Sequence, residues 1–356
     1  MIAAGGRQYF NSAYITIRVI RSRLKCMLPI EVFFAGPNEL PTSAINHMQR
    51  TFPNLRFVDV YDTAEMRNTR SKPMLKGYQL KVFAILLSSF EEVLYLDADN
   101  IPLADPSVVF SFDLYRQHGA LFWPDRCNFF SCRPEAWAMF GIEEPALLPL
   151  FPARATTVWT HECNTMQSVE LETGQIVLNK RAAWRALLLT TFINWHHEFF
   201  HHQLLWSDKN TYIFGFHGTG TLFDTVAFPH VSYGLALHST HGDHRVDTIC
   251  SNSRGQRHPE TGAVIFVHRS AAKYAWPSSY LSFMPHPRAW THVVDQPAKT
   301  AWQSRERGGC APDFFLPDAT SQLGCWEATS NTTTWAPVDD SVCASAIVAM
   351  ISKADN

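Results

Sequence analysis

Residues 93–99 read Val93-Leu94-Tyr95-Leu96-Asp97-Ala98-Asp99, and this stretch decides the fold. Its first four residues are apolar and predict a short buried β-strand that ends at Asp97. Two carboxylates next to an apolar core repel each other unless a cation or hydrogen-bond donors compensate. A hard divalent cation, bound by both carboxylates and by diphosphate oxygens, provides that compensation. The sequence therefore predicts a metal-binding Asp-x-Asp motif with Asp97 and Asp99 as ligands.

The segments ahead of this motif alternate between strand and helix. Apolar spacing predicts helices over 12–24, 41–51 and 74–90, and strands at 2–4, 30–35 and 55–60. This β-α-β-α order predicts an α/β fold with a parallel sheet and right-handed crossovers. Ligands of such sheets bind at the carboxyl ends of the strands. Because Gly5-Gly6 and Asp97 fall at predicted strand ends, we expect both to face one crevice.

The signals after the motif are more widely spaced. Residues 120–123 predict a strand, residues 174–195 a long helix, and residues 263–267 a late strand that delivers His268. From about residue 271 onward Pro, Trp, Ser and Thr are frequent and the periodicity fades. We therefore predict a catalytic domain over 1–270 and an irregular C-terminal extension, a tail or small cap, over 271–356.

Composition excludes several classes of function. The formal net charge is -2 and no long basic run occurs, so neither a nucleic-acid surface nor an anionic-membrane surface is indicated. No apolar run reaches the ~20 residues that a spanning helix needs. The chain has 8 cysteines but no Cys-x-x-Cys pair, which argues against a zinc ribbon. An even number of cysteines permits disulfides, as in a lumenal or secreted protein.

Two other enzyme classes match part of the sequence. Phosphatases of the haloacid-dehalogenase type also begin with a strand and Asp-x-Asp, but they normally have Thr or Val where this chain has Asn100. His197-Glu198-Phe199-Phe200-His201 matches the HExxH motif of zinc proteases, in which two histidines one helical turn apart share a zinc. Position 204 is leucine, no third histidine follows in register, and the aromatic neighbours predict a packed helix.

Further motifs follow one another in a fixed order over about residues 1–270. They are Lys76-Gly77-Tyr78-Gln79-Leu80-Lys81, residues 90–99, Asp105-Pro106, Gly119-Ala120-Leu121-Phe122-Trp123-Pro124-Asp125, Glu172-Thr173-Gly174-Gln175 with Asn179-Lys180-Arg181, Trp206-Ser207-Asp208-Lys209-Asn210-Thr211 and Phe266-Val267-His268-Arg269. Together they resemble the fungal Golgi α-mannosyltransferases, which add α-1,2- or α-1,3-mannose to glycans. An ordered set of motifs is far more specific than Asp-x-Asp alone.

The resemblance implies a GT-A glycosyltransferase fold, a mixed and mostly parallel sheet flanked by helices. It also implies a retaining, metal-dependent transfer of mannose from GDP-mannose to a mannoside acceptor on glycans, with Mn²⁺ or Mg²⁺ as the cofactor. The full-length protein would be a type II membrane protein facing the Golgi lumen. Residues 1–6 look like the clipped end of a strand and a glycine turn, so we expect an anchor in a longer N-terminal form.

The resemblance also implies roles for individual residues. Asp97 and Asp99 would hold the metal and the diphosphate, with His268 as the third metal ligand. Gly5 and Gly6 would let the backbone approach the nucleotide. The candidates for phosphate contacts are Lys76 and Lys81, and those for the sugar hydroxyls and the acceptor are Asp125, Glu172, Gln175 and Asp208.

Each of these residues also fits a structural role. The lysines fit a solvated helix face, Glu172 fits a cap for a helix starting near Gly174, His268 fits a hydrogen-bonded strand end, and Asp208 fits a turn. Two further functions stay open because the sequence does not resolve the donor-binding loops. One is a retaining transferase that uses a UDP-sugar, and the other is an inactive carbohydrate-binding relative. The intact Asp-x-Asp motif and His268 favour an enzyme.

Overall fold

The computed structural model describes residues 1–3, 6–70, 72–73, 75, 77–125, 134–142, 171–201, 203–205, 208–228, 231–241, 244–268, 292–294 and 312–315. The chain divides into two compact units. The first comprises Met1–Asn100 and Asp105–Phe228, and the second comprises Ile101–Ala104 and Pro229–Asn356. None of the helices within the described ranges combines the length and apolar character that a bilayer crossing requires.

The first unit contains a seven-stranded sheet and nine helices in the described part of the chain. The strands up to residue 225 are β1 (Ile2–Ala3), β2 (Ile30–Phe34), β3 (Leu55–Asp59), β4 (Glu92–Asp97), β5 (Asn100–Pro102, which joins a different sheet), β6 (Ala120–Pro124), β7 (Leu171–Asn179) and β8 (Asp224–Thr225). The helices are α1 (Gly6–Arg18), α2 (Thr42–Thr51), α3 (Ala64–Arg67), α4 (Gln79–Leu87), α5 (Asp113–His118), α6 (Pro134–Met139), α7 (Trp184–Trp195), α8 (His197–Phe200) and α9 (Asp208–Gly218).

The strand order of this sheet is β3-β2-β1-β4-β7-β6-β8. Strands β1 to β4 pair in parallel, as does β6 with β8, whereas β7 runs antiparallel to both β4 and β6. The predicted α/β class is therefore confirmed, and the sheet is mixed and mostly parallel with flanking helices, as predicted. Each strand ahead of the Asp-x-Asp motif was predicted at nearly its observed position.

An aromatic core fills the space between this sheet and its helices. Phe122 on β6 packs against Phe216 of α9 at 5.4 Å and against Phe223 at 5.5 Å between ring centroids. Phe83 of α4 packs against Trp195 of α7. Strands β2 and β6 are buried at every position, which explains their continuous apolar sequences. These helices therefore have fixed positions on the sheet, and so do the side chains at their ends.

The predicted helix over residues 174–195 is partly wrong. Residues up to Asn179 belong to β7, and the helix begins only at Trp184. The run from Gln175 to Leu178 is buried between β4 and β6, so its apolar residues pair with two strands. A short apolar run has no periodicity that separates a buried strand from a helix. Glu172 consequently lies in a strand and does not cap a helix.

The second unit contains an antiparallel sheet of order β12-β9-β10-β11-β5. Its strands, besides β5, are β9 (Val231–His241), β10 (His244–Arg257), β11 (Val264–His268), β12 (His292–Val294) and β13 (Pro312–Phe315), the last pairing with β10. No strand was predicted over residues 231–257, yet β9 and β10 form a long hairpin there. Strand β11 was predicted correctly. Two short strands are described beyond residue 271.

Candidate active site

Four chain segments of the first unit meet at the carboxyl edge of its sheet. Asp97 ends β4, Asp125 follows β6 directly, and Asp208 begins α9. Because β7 runs against its neighbours, it is the beginning of this strand that reaches the same edge. Gln175 pairs with Leu96, and Glu172 pairs with Trp123. The structure therefore brings together six of the predicted site residues, namely Lys81, Asp97, Asp125, Glu172, Gln175 and Asp208, next to Asp99.

The Asp-x-Asp motif presents two carboxylates to one point. Ligand oxygens of Asp97 and Asp99 lie within 4.8 Å of each other. Asp99 is 1 % exposed, while the side chain of Asp97 keeps 24 % of its surface in solvent. The Thr16 hydroxyl of α1 donates to the Ala98 carbonyl at 2.8 Å and fixes the middle of the motif. Two close carboxylate oxygens, one side chain buried and one reachable, fit a hard divalent cation.

Two neighbouring donors orient the Asp97 carboxylate. The Tyr95 hydroxyl donates to Asp97 Oδ1 at 2.7 Å, and Lys81 Nζ lies 3.3 Å from both carboxylate oxygens. Burial, and then the Asp97 charge, raise the pKa of Tyr95 well above its ordinary value. The phenol therefore stays protonated and remains a donor at neutral pH. Asp97 is held in one orientation before any ligand arrives.

Lys81 is the centre of a buried cluster. Its side chain is 5 % exposed, and its Nζ contacts Asp208 Oδ2 at 3.1 Å, the Thr173 carbonyl at 2.9 Å and the Thr173 hydroxyl at 3.0 Å. Thr173 in turn donates to Asp208 Oδ2 at 3.2 Å. Burial alone would lower the pKa of Lys81, but the Asp208 and Asp97 carboxylates outweigh it and raise this pKa. Lys81 is therefore a permanent internal cation.

The other predicted sugar-site residues are also buried and paired. Asp125 forms an ion pair with Lys209, the second residue of α9. Glu172 Oε1 accepts from the Gly174 amide at 2.8 Å, and Gln175 Oε1 accepts from Asn100 Nδ2 at 2.6 Å. All these groups are polar side chains on rigid elements. Such an arrangement can orient the hydroxyls of a sugar, because fixed donors and acceptors need no reorganisation on binding.

Not every predicted residue is described at this edge. Gly5 and Lys76 lie outside the described residues, and Gly6 is the first residue of α1. His268 ends β11 in the second unit and is mostly buried. Within that sheet the neighbour of β11 is β5, and β5 begins at Asn100, the residue that follows Asp99 in the chain.

Three residues of this cluster were missed from the sequence. Tyr95 stands two positions before Asp97, and side chains two apart on a strand share a face, so its contact with Asp97 could have been predicted. Asn100 was considered only as a departure from the phosphatase pattern. Thr173 carries no sequence signal, because its contact with Lys81 depends on the antiparallel direction of β7.

The HExxH sequence does not form the helical zinc site of a protease. α8 comprises only His197–Phe200, and His201 follows it in an extended conformation, φ -75° and ψ 140°. Among the described residues, no third His, Cys, Asp or Glu lies close enough to these two histidines to complete a three-ligand metal site. Phe200 is buried, and Phe192 packs against it. The motif belongs to an aromatic packing segment.

Comparison with known proteins identifies relatives over most of the chain. A family model described as "Mannosyltransferase putative" matches residues 1–258. Alpha-1,2-mannosyltransferase MNN24 of Candida albicans is 29% identical over 238 residues, which cover 61% of this chain and 32% of the relative. Alpha-1,2-mannosyltransferase MNN2 of Saccharomyces cerevisiae is 28% identical over 231 residues, covering 59% and 38%. The chain thus spans less than half the length of these relatives.

Two solved structures share part of the chain path with this protein at low sequence identity. The bifunctional enzyme WbbM superposes with a TM-score of 0.39 at 13% identity, covering 63% of this chain and 38% of its own. The galactosyltransferase LgtC, in complex with donor and acceptor sugar analogues, has a TM-score of 0.38 at 13% identity, covering 63% and 72%.

Proposed function

The chain belongs to the mannosyltransferase family whose model matches residues 1–258, and from this premise we propose that it is a retaining, metal-dependent α-mannosyltransferase. It takes mannose from GDP-mannose and adds it to a mannoside acceptor on glycans. The observation that carries this proposal is the pair of carboxylates at the end of β4, with ligand oxygens of Asp97 and Asp99 within 4.8 Å of each other.

Asp97 and Asp99 would hold the divalent cation, Mn²⁺ or Mg²⁺, together with the donor diphosphate. A bound cation there supplies Lewis-acid stabilisation of the negative charge on the departing nucleotide. Tyr95 and Lys81 keep Asp97 oriented for this contact. His268 would be the third ligand, the role that the resemblance to the family implies for it.

The sugar would lie against Asp125, Glu172, Gln175 and Asp208, the buried polar groups of the same edge. Asp208 already contacts Lys81 and Thr173, and Glu172 accepts from the Gly174 amide, so both carboxylates are suited to orienting hydroxyls. Retention then follows if the acceptor hydroxyl attacks from the leaving-group face and a phosphate oxygen takes its proton. In this route the protein contributes only the positioning of the reactants and the stabilisation of developing charge.

The nucleotide would approach the start of α1, where Gly6 follows β1. A helix N-terminus attracts phosphate, and a glycine lets the backbone come close. Gly5 and Lys76 keep the nucleotide roles that the resemblance implies. We also propose that the reaction takes place in the Golgi lumen, the compartment that the family resemblance implies.

The test is a donor panel with product linkage analysis. The chain is incubated with Mn²⁺, short α-mannosides, and either GDP-mannose or UDP-hexoses, and the products are identified by mass and linkage. We expect a mannoside extended by one α-linked mannose with GDP-mannose only. Product from a UDP-sugar alone would contradict the donor assignment. Acceptor binding without any donor-dependent product would indicate an inactive carbohydrate-binding relative.

Glu198 provides a test of the competing protease interpretation. We expect Glu198→Gln to leave mannosyl transfer within about twofold of the unchanged protein, because Glu198 is exposed on a four-residue helix and surface changes of this kind are usually neutral. Added zinc should give no casein hydrolysis. Proteolysis that is lost in Glu198→Gln would refute this interpretation of the HExxH segment.

A further inference from the structure

Lys81 has no N–H group left for a ligand. An ammonium group has three donors. Five oxygens surround Lys81 Nζ at hydrogen-bonding distance: the Thr173 carbonyl at 2.9 Å, the Thr173 hydroxyl at 3.0 Å, Asp208 Oδ2 at 3.1 Å and both Asp97 carboxylate oxygens at 3.3 Å. The side chain is also 5 % exposed. A phosphate could reach this ammonium only by displacing one of these oxygens.

On the basis of the proposed function, we propose that Lys81 is a positioning residue that holds the metal ligand Asp97 beside Asp208, and that it does not bind phosphate. Both carboxylates contact the same ammonium, so each would face the other's charge without it. Like charges that share a site disfavour each other's ionised form and push the side chains apart. Lys81 therefore fixes where Asp97 points and how far Asp208 stays from it.

The other donors that the described residues are seen to supply to these two acids are neutral. The Tyr95 hydroxyl donates to Asp97, and the Thr173 hydroxyl donates to Asp208. Neither hydroxyl neutralises the charge of its carboxylate. Lys81, in contrast, is a cation in contact with both acids. Removal of a group that orients a metal ligand typically lowers metal affinity by about 10- to 100-fold.

The two roles of Lys81 predict different losses. If Lys81 contacts the diphosphate, its removal weakens nucleotide binding and leaves the affinity for Mn²⁺ alone unchanged. If Lys81 positions Asp97, its removal weakens Mn²⁺ binding even when no nucleotide is present. The decisive measurement is therefore the affinity of the nucleotide-free chain for Mn²⁺, followed by the electron paramagnetic resonance signal of the free ion.

We expect Lys81→Met to bind Mn²⁺ about 10- to 100-fold more weakly than the unchanged chain. Lys81→Gln keeps amide donors for Thr173 but lacks the charge, so it should lose Mn²⁺ affinity to a similar extent. It replaces the methionine variant in this test if that variant does not fold. The matched control is Lys180→Met. Lys180 is a partly buried lysine of the same unit that donates to the carbonyls of Leu86 and Ser88 and touches no site residue. Its Mn²⁺ affinity should be unchanged.

A double variant separates positioning by charge from simple packing. Asp208→Asn removes the negative charge that repels the Asp97 carboxylate. In the Lys81→Met background this second substitution should therefore raise Mn²⁺ affinity by at least about threefold. If Lys81 acted only through packing, Asp208→Asn would not recover the Mn²⁺ affinity that Lys81→Met loses. Wild-type Mn²⁺ affinity in both Lys81 variants, or no recovery in the double variant, would overturn the inference. If the unchanged chain itself bound no Mn²⁺, the proposed metal dependence would fail, and the inference with it.

Discussion

Asp97→Ala and Asp99→Asn are each expected to lower mannosyl transfer by at least about a thousandfold, while the protein stays folded. Each change removes a carboxylate from the pair whose ligand oxygens lie within 4.8 Å, so the charge of the departing nucleotide loses its stabilisation. The fold should survive because Lys81 keeps Asp208 and Thr173 as partners. Initial rates with saturating GDP-mannose and Mn²⁺ measure the loss, and thermal unfolding measures the fold.

Asp62→Ala is the control for these variants. Asp62 is an exposed acid in the short 3-10 turn Val60–Asp62, so its removal changes the net charge equally without touching the site. Its transfer rate should stay within about twofold of the unchanged protein. Measurable transfer by the double variant of Asp97 and Asp99 would show that the chemistry does not depend on this carboxylate pair.

Gly215→Ala is expected to destabilise the protein by about 3 kcal/mol. Gly215 lies where α9 crosses α7, and a Cβ atom there would stand 2.0 Å from Thr190 Oγ1 and 2.8 Å from the Ala186 carbonyl oxygen. The carbonyl belongs to the backbone of α7 and cannot move without shifting that helix. The clash outweighs the gain in helix propensity that alanine normally brings, about 1 kcal/mol. The midpoint of thermal unfolding should fall by roughly 6 to 12 °C.

Gly218→Ala tests the same helix without the clash. Its added Cβ would meet Leu189 Cδ2 at 3.0 Å, the end of a flexible side chain that can turn away. We therefore expect a stability change smaller than about 1 kcal/mol. Thr190→Ala combined with Gly215→Ala should recover only part of the loss, because the Ala186 carbonyl remains. A Gly215→Ala protein as stable as its parent would mean that the two helices can separate at no cost.

The strands of the first half of the sheet could be predicted from the sequence, because the hydrophobic periodicity gives their positions and the intervening helices give their parallel order. Strands β2, β3 and β4 have apolar or alternating patterns that end at turn residues, and parallel order follows from the helices between them. The position of Asp97 at the end of β4 was predicted for the same reason, since the strand before it is unambiguous. The candidate site residues of β7, Glu172 and Gln175, were chosen from the family motifs, whereas the helix predicted from residue 174 is a strand up to Asn179. Their resemblance to family motifs did not depend on the fold of the segment.

The buried network of the site could not be derived from the sequence. The contact between Lys81 and Thr173 joins residues 92 positions apart, and it exists only because β7 enters the sheet in reverse. Two lysines, Lys76 and Lys81, looked equivalent in the sequence as solvated or phosphate-binding groups. The structure describes Lys81 as a buried residue of α4 in contact with the acids, whereas Lys76 lies outside the described residues. The hairpin of β9 and β10 was missed, although Val231, Tyr233, Leu235 and Leu237 stand at every second position of β9.

The reversed strand also restricts how this protein could diversify. A change in length ahead of Leu171 would leave the register of Tyr95 with Ile176 unchanged. One residue inserted between Glu172 and Gln175 would instead turn each preceding side chain to the opposite side of the sheet. An inserted residue is therefore expected to be far more damaging within these four positions than ahead of the strand.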